Sequence, residues 1–236
     1  MAPPTTTLTL ESAAMLSHNV RWLRFVAQRP MVWQPGQFVS LKLPTEGGIA
    51  RSYSIASRPC PEGFVEFAVT LVEDGPGSHF LHALPVGASL ESGPPMGFFT
   101  LPEALTRPVI FVGTGTGVTP LRAMLQQVVG GGHGGLPVRL LHGVRTEADR
   151  IFADEFAALA AAHPHFAYEA TLSRPSPAWS GLSGYVQTHL ARLVEAVGAP
   201  CDVYVCGLSP MIKAVRSTLK DTLGFGRECI HTERFD

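Results

Sequence analysis

Short apolar-rich runs divided by turn clusters fill the first hundred residues of the chain. Runs of this length, bounded by Gly, Pro, Asn and Asp, predict strands. They fall at 7–10, 21–28, 37–43, 51–56, 64–72 and 88–92, with Gln34-Pro35-Gly36 and Glu46-Gly47-Gly48 among the turns. One short helix interrupts them at 78–84, opened by Gly77 and closed at Pro85. Closely spaced short strands predict an antiparallel barrel or sandwich.

After Pro102 the pattern changes. Strands are predicted at 108–112, 138–143, 166–172, 202–206 and 228–232. Between them lie an amphipathic stretch at 119–129, a loop at 130–135, and helices at 148–162, 185–197 and 210–223. Strand–helix alternation predicts a parallel five-stranded sheet with helices on both faces, a Rossmann-like α/β unit. The division between the units is placed at 103/104, where Pro102 and Pro108 bracket a short connection, giving domains 1–103 and 104–236.

Composition narrows the function classes. Among 236 residues, 18 Lys+Arg face 19 Asp+Glu, a net charge of −1. That argues against a nucleic-acid binder with a large basic field. No apolar run approaches the ~20 residues of a membrane span, so no membrane insertion is expected. The first basic side chain is Arg21 and no apolar leader precedes it, so a cytoplasmic protein is expected. The four cysteines, Cys60, Cys201, Cys206 and Cys229, form neither a C-x2-C pair nor a C-x4-C-x2-C run. No zinc ribbon, iron–sulfur cluster or other metal site is expected, and free thiols fit a reducing compartment.

Candidate chemistry is concentrated in a few runs. The apolar strand Val109-Ile110-Phe111-Val112 leads directly into Gly113-Thr114-Gly115-Thr116-Gly117-Val118-Thr119-Pro120. Glycines remove Cβ atoms where a pyrophosphate must approach the backbone, and the helix that follows offers free N–H donors. Pro120 fits that helix's first turn. No Gly-Lys-Ser/Thr follows, so this is not a P-loop. The spacing departs from G-x-G-x-x-G, and no acidic residue occurs between Glu103 and Glu147, which disfavours an ordinary NAD-dependent dehydrogenase. Arg51-Ser52-Tyr53-Ser54 places Arg51 and Tyr53 on one strand face, a bidentate phosphate donor beside a flat ring. Gly75-Pro76-Gly77-Ser78 precedes the short helix, either as a second anion cradle or as an ordinary capped turn.

The order R-x-Y-S, G-x-G-S, G-T-G-T-G-x-T-P resembles the ferredoxin–NADP reductase superfamily. So do Tyr204-Val205-Cys206-Gly207-Leu208-Ser209-Pro210-Met211, similar to its C-G-x-x-x-M segment, and Gly97-Phe98-Phe99-Thr100-Leu101, similar to the strand closing its flavin barrel. The resemblance implies an antiparallel flavin-binding β-barrel followed by the dinucleotide-binding α/β domain. It implies that Arg51 binds flavin phosphate, Tyr53 packs on the isoalloxazine, and Ser54 bonds near N5. Gly77 and Ser78 would hold a pyrophosphate, which points to FAD over FMN. Thr114, Gly115, Thr116, Gly117 and Thr119 would hold the dinucleotide, with Cys206, Gly207 and Met211 beside the nicotinamide. The resemblance further implies Ser54, Cys206 and Glu233 as the positioning and polarising residues for hydride transfer.

Glu233 and Phe235 stand at the spacing of the Glu-x-Tyr terminus of photosynthetic members, with Phe for Tyr and Asp236 added. Phe235 either stacks on the flavin or belongs to a frayed tail. Arg145, Ser173 and Arg174 follow the second and third strands of the α/β unit. They resemble the 2′-phosphate set of NADPH-using relatives, so NADPH is favoured, with NADH as the alternative and a surface pair of Arg145 with Glu147 or Asp149 as the plainer reading. His79, His82 and His142 read as packing or surface residues.

The expected function is an NAD(P)H-dependent FAD reductase passing electrons to a ferredoxin or flavodoxin. One alternative is the reductase component of an oxygenase with a separate iron–sulfur partner. Others are a non-catalytic flavin-binding electron-transfer subunit and a nucleotide-binding protein without flavin. Arg21, Arg24, Arg29 and Arg58 are candidates for a docking face.

Overall fold

The computed structural model describes residues 5–44, 48–129 and 134–235. Parts of the expected 46–48 turn and 130–135 loop, and Asp236, lie outside them. Two six-stranded sheets organise the chain.

The first sheet is antiparallel. Its strands are β1 Thr6–Met15, β2 Val20–Ala27, β3 Phe38–Lys42, β4 Ala50–Ser54, β5 Phe64–Thr70 and β6 Ser89–Ser92, in the order β4-β3-β6-β1-β2-β5. Alternate side chains from these strands fill one core, among them Leu8, Leu10, Leu23, Phe25, Val39, Leu41, Val65 and Phe67. The expected barrel takes the form of a curled sheet. Its edges β4 and β5 meet where the Ala56 N–H donates to the Glu66 carbonyl (2.8 Å). Helix α1, Pro76–Ala83, starts two residues earlier than expected because Pro76 occupies its first turn.

The second sheet is parallel: β7 Val109–Thr114, β8 Val138–Val144, β9 Phe166–Leu172, β10 Leu182–Ser183, β11 Asp202–Gly207 and β12 Ile230–Arg234. Their order is β10-β9-β8-β7-β11-β12. Val109 and Phe111 face one core with helices α2 Val118–Gln127 and α3 Ala153–Ala162. Ile110 and Val112 face another with α4 Leu190–Val197 and α5 Ser209–Ser217. The unbroken apolar run of β7, whose alternate residues serve opposite cores, is what a sheet covered on both faces requires.

Four expectations need correction. The sheet has six strands, not five, because the two-residue β10 pairs with the end of β9. The expected 148–162 helix is a 3-10 turn at Glu147–Asp149, then a break, then α3, with Phe152 at φ +58° as its N-cap. The 185–197 helix opens as a 3-10 turn, Val186–His189, before α4. The last strand runs to Arg234, because a 3-10 turn occupies Arg227–Cys229.

Candidate functional site: a cleft between the two sheets

The glycine run does three separate things. At Gly115, φ is +52°, a conformation L side chains rarely adopt, and it lets the chain turn from β7 into the 3-10 turn Gly115–Gly117. A Cβ on Gly117 would collide with the Cys206 carbonyl, so this glycine lets the turn lie directly on the end of β11. A Cβ on Gly113 would sit 3.0 Å from the backbone of Val118, where the turn folds back. Helix α2 begins here, and residues Val118 to Leu125 are all buried. The amphipathic face expected at 119–129 is therefore enclosed, because the first sheet covers the side that would have met solvent. The Thr119 hydroxyl, within the first turn, is buried without a hydrogen-bond partner among the described residues.

Beneath the turn, β8 places His142 opposite Gly113. Its Nε2 lies 3.1 Å from the Gly115 carbonyl, which can only accept, so Nε2 carries the proton. Full burial pulls the imidazole down to about 4, and it stays neutral at physiological pH.

On the first sheet, Arg51 is exposed and Tyr53 half-buried, edge-on to Phe67 at 6.4 Å. Burial raises the Tyr53 phenol, with the Arg51 charge acting against it. Gly77 brings the two motifs together. A Cβ there would stand 3.3 Å from the Arg51 side chain, 3.4 Å from the Tyr53 hydroxyl and 2.8 Å from Leu43. The absence of a Cβ at Gly77 thus lets the start of α1 lie directly against Arg51 and Tyr53. Ser54 ends β4, paired with Phe38. The Ser78 hydroxyl accepts from the Val72 N–H (3.0 Å) and donates to the Gly75 carbonyl (2.8 Å). It closes its own loop, and the first-turn N–H groups of α1 are the donors left for a ligand.

The two cradles are joined through the end of β5. Thr70 shares a hydroxyl–hydroxyl hydrogen bond of 3.1 Å with Thr116 of the glycine run, and two residues later Val72 bonds Ser78. From the other side come β11 and β12, which set Cys206 opposite both Gly113 and Glu233. A Cβ on Gly207 would collide with the Thr114 hydroxyl and come within 2.6 Å of the Met211 methyl, so those three are in contact. The Phe235 N–H donates to the Gly207 carbonyl (3.2 Å), and its ring is 42% exposed. Burial pushes the Cys206 thiol well up, helped by the Glu233 charge, and burial raises the Glu233 carboxyl. Cys206 is therefore held as a neutral thiol rather than a thiolate nucleophile. A cleft of about 520 Å³ opens beside Glu233, lined also by Phe38, Phe98, Phe99 and His231.

Arg145 and Arg174 stand together at the outer rim. The loops after β8 and β9 are tied by Ser173 N–H to Val144 carbonyl (3.0 Å) and Arg174 N–H to Arg145 carbonyl (2.8 Å). The plainer ion pair for Arg145 does not form. Glu147 instead accepts from Ser176 (2.9 Å), which lowers its carboxyl, and Asp149 accepts from Thr146. Among the described residues, neither arginine has a carboxylate within ion-pair distance.

Several residues were not legible as site residues. Arg122, on the side of α2 that the first sheet covers, donates to Glu66 of that sheet, and Thr70 anchors the glycine run. The one available signal for Arg122 was an arginine inside an apolar helix. Of the proposed docking arginines, Arg21 binds the Leu81 and His82 carbonyls and Arg24 pairs with Glu66, so both serve the fold.

Residues 7–101 match the oxidoreductase FAD-binding domain and residues 111–217 the oxidoreductase NAD-binding domain. Ferredoxin–NADP reductase B of Sorangium cellulosum is 43% identical over 229 residues, covering 94% of this chain and 93% of that one. The phenol 2-monooxygenase reductase component DmpP of a Pseudomonas species is 33% identical; the match covers 93% of this chain and 62% of that longer protein. Among solved structures, the flavohem-like FAD/NAD binding domain of nitric oxide dioxygenase from Vibrio cholerae superposes with a TM-score of 0.84 at 25% identity. That match covers 98% of both chains. No helix among the described residues is long and apolar enough to cross a membrane. With two oxidoreductase domains in this order and a relative similar over nearly its whole length, the chain belongs to the ferredoxin–NADP reductase family.

Proposed function

We propose that the chain takes hydride from NAD(P)H onto bound FAD and delivers electrons to a ferredoxin- or flavodoxin-type carrier. The observation that carries this is the joining of the two cradles. Within residues 70–72, one strand end touches both the glycine run and the α1 turn. A flavin held by β4 and α1 and a dinucleotide held by the glycine run would therefore share one cleft. Two observations support the fit of both groups: Gly77 lets the first turn of α1 lie against Arg51 and Tyr53, and the buried Thr119 hydroxyl lacks a partner among the described residues.

When bound, the flavin supplies the hydride-accepting atom and converts a two-electron donor into a one-electron source. The protein supplies position. Arg51 would hold flavin phosphate, with Gly77 and Ser78 donating backbone N–H groups to the pyrophosphate. Tyr53 would pack on the ring and Ser54 would donate near N5. Thr114, Gly115, Thr116, Gly117 and Thr119 would cradle the dinucleotide pyrophosphate. Cys206, Gly207 and Met211 would pack against the nicotinamide, with Glu233 behind Cys206 and Phe235 covering the cleft when no nucleotide is present. Arg145, Ser173 and Arg174 would receive a 2′-phosphate, which favours NADPH. We take 1–103 and 104–236 as the two domains. We place the protein in the cytoplasm, in keeping with its four unpaired thiols. Similarity to an oxygenase reductase component supports a second acceptor, an iron–sulfur oxygenase partner.

The test is a visible spectrum of the purified protein, then anaerobic NADPH and NADH in turn. Flavin bands bleached faster by NADPH are expected, followed by reoxidation on adding a ferredoxin or flavodoxin. Flavin bands that neither nucleotide bleaches would overturn the proposal in favour of a non-catalytic subunit.

A further inference from the structure

Helix α2 clasps the chain just downstream of the flavin strand. The Arg122 guanidinium donates to the Ala56 carbonyl (2.8 Å) and the Glu66 carboxylate (2.6 Å) through Nη1, and to both oxygens of Glu155 through Nε (2.9 and 2.8 Å). One turn on, the Gln126 side-chain oxygen accepts from the Arg58 N–H (3.1 Å), and its amide donates to Glu155 (3.0 Å). Arg122 and Gln126, four apart, lie on one helix face. That face holds residues 56 and 58, which continue directly from Arg51, Tyr53 and Ser54. Arg122 is 8% exposed and Glu66 2%, so the pair is shielded from solvent.

The surroundings are shaped to this contact. Glu66 is held from its other side by Arg24 (2.9 Å). The Phe152 ring covers Arg122 with the guanidinium carbon 4.5 Å from its centre. Phe152 is the sole non-glycine residue at positive φ among the described residues. An aromatic residue takes that backbone conformation only where its surroundings impose it.

Resting on the functional reading above, we infer that Arg122 is a positioning residue for hydride transfer. It locks the helix that begins at the dinucleotide cradle to the exit of the strand that would carry the flavin. Both cradles lie within a few residues of this clasp, so it fixes their separation. Its fork reaches three partners at once, which the single ammonium of a lysine cannot do.

The experiment is stopped-flow anaerobic reduction of the holoprotein by NADPH, comparing wild type with R122K, R122M and the double variant R122M/E66Q. Flavin content, NADP⁺ affinity by titration, thermal unfolding and amide exchange across 55–58 and 118–126 are measured on the same samples. The double variant removes both buried charges and is expected to regain thermal stability relative to R122M. In all three, the limiting rate of bleaching is expected to fall at least tenfold, while NADP⁺ affinity moves less than threefold. Amide exchange at 55–58 is expected to accelerate.

If the double variant recovers the rate along with the stability, Arg122 is structural and the inference fails. It fails equally if every variant reduces within twofold of wild type. Should R122M not fold, Q126A removes the neighbouring arm alone and is expected to give a smaller loss of rate with the same exchange signature; an unchanged rate and exchange pattern there also overturn the inference. A wild-type protein that holds flavin yet is bleached by neither nucleotide would overturn the functional reading itself, a result distinct from unchanged variants of an active enzyme.

Discussion

His142 shows how a single side chain can serve the glycine run without touching a ligand. Its proton points at the Gly115 carbonyl, fixing the peptide that turns at positive φ. The folded-state pKa of about 4 lies below the ordinary 6.5, so folding favours the neutral ring. Its contribution is therefore intact above pH 6.5, falls as pH drops through the interval, and is gone below about 4. A gap of this size corresponds to roughly 3 kcal/mol. Thermal melts between pH 7.5 and 4.5 should show a steep loss for wild type and a shallower one for H142Q, whose amide still donates to Gly115. Parallel curves for the two proteins would count against the buried neutral ring. Gly117 makes the complementary point. In G117A the new methyl meets the Cys206 carbonyl, a backbone atom that cannot step aside. A stability loss of about 1–3 kcal/mol and a tenfold weaker NADP⁺ titration are expected, against little change in flavin content.

At the level of elements, the loops after β8 and β9 are the proposed seat of nucleotide choice, because parallel strands deliver both loops to the same edge of the sheet. Arg145 and Arg174 are exposed, without carboxylate partners among the described residues, and tied backbone to backbone. Their charges are available to a 2′-phosphate. Replacing both by glutamine should raise the KM for NADPH about tenfold or more and leave the KM for NADH within twofold. Equal effects on both nucleotides would place the arginines elsewhere than at the 2′ position. The placement of these residues in the fold could be read from the chain because they follow strands with clear apolar runs. The same holds for Arg51, Tyr53, Gly77, the glycine run and Cys206, all in short local motifs. What escaped the sequence has non-local causes. The 148–162 segment has good helix formers throughout, yet it breaks at Phe152, whose ring caps an arginine thirty residues away. The two-residue β10 is too short to leave a pattern, and α2 reads as amphipathic until the first sheet is laid over its polar side.

At the level of the whole molecule, the two sheets are joined by an apolar contact, in which Val20, Ala68 and Phe99 pack with Val118, Leu121 and Met124 and the Phe99 ring centre lies 5.7 Å from that of Tyr204, and by a set of polar contacts. Thr70–Thr116, Arg122–Ala56, Arg122–Glu66 and Arg58–Gln126 are pairs separated by 46 to 68 positions in the chain, and no local pattern announces them. A group that orders one side of such a seam is expected to restrain the other. Flavin binds only the folded first domain, so at a free concentration a hundred times its Kd it adds about 2.7 kcal/mol to stability. For a chain of this size that is a rise of roughly 5–10 °C in Tm. With the seam intact, the α/β half should share the gain. Amides of β7 and α2 should then exchange more slowly in FAD-loaded protein than in flavin-stripped protein, and calorimetry should show one transition moving as a unit. Were FAD to shift only an early or late part of a split transition, with β7 and α2 exchanging at unchanged rates, the two halves would be independent. The Arg122 clasp would then hold them together without coupling their stabilities.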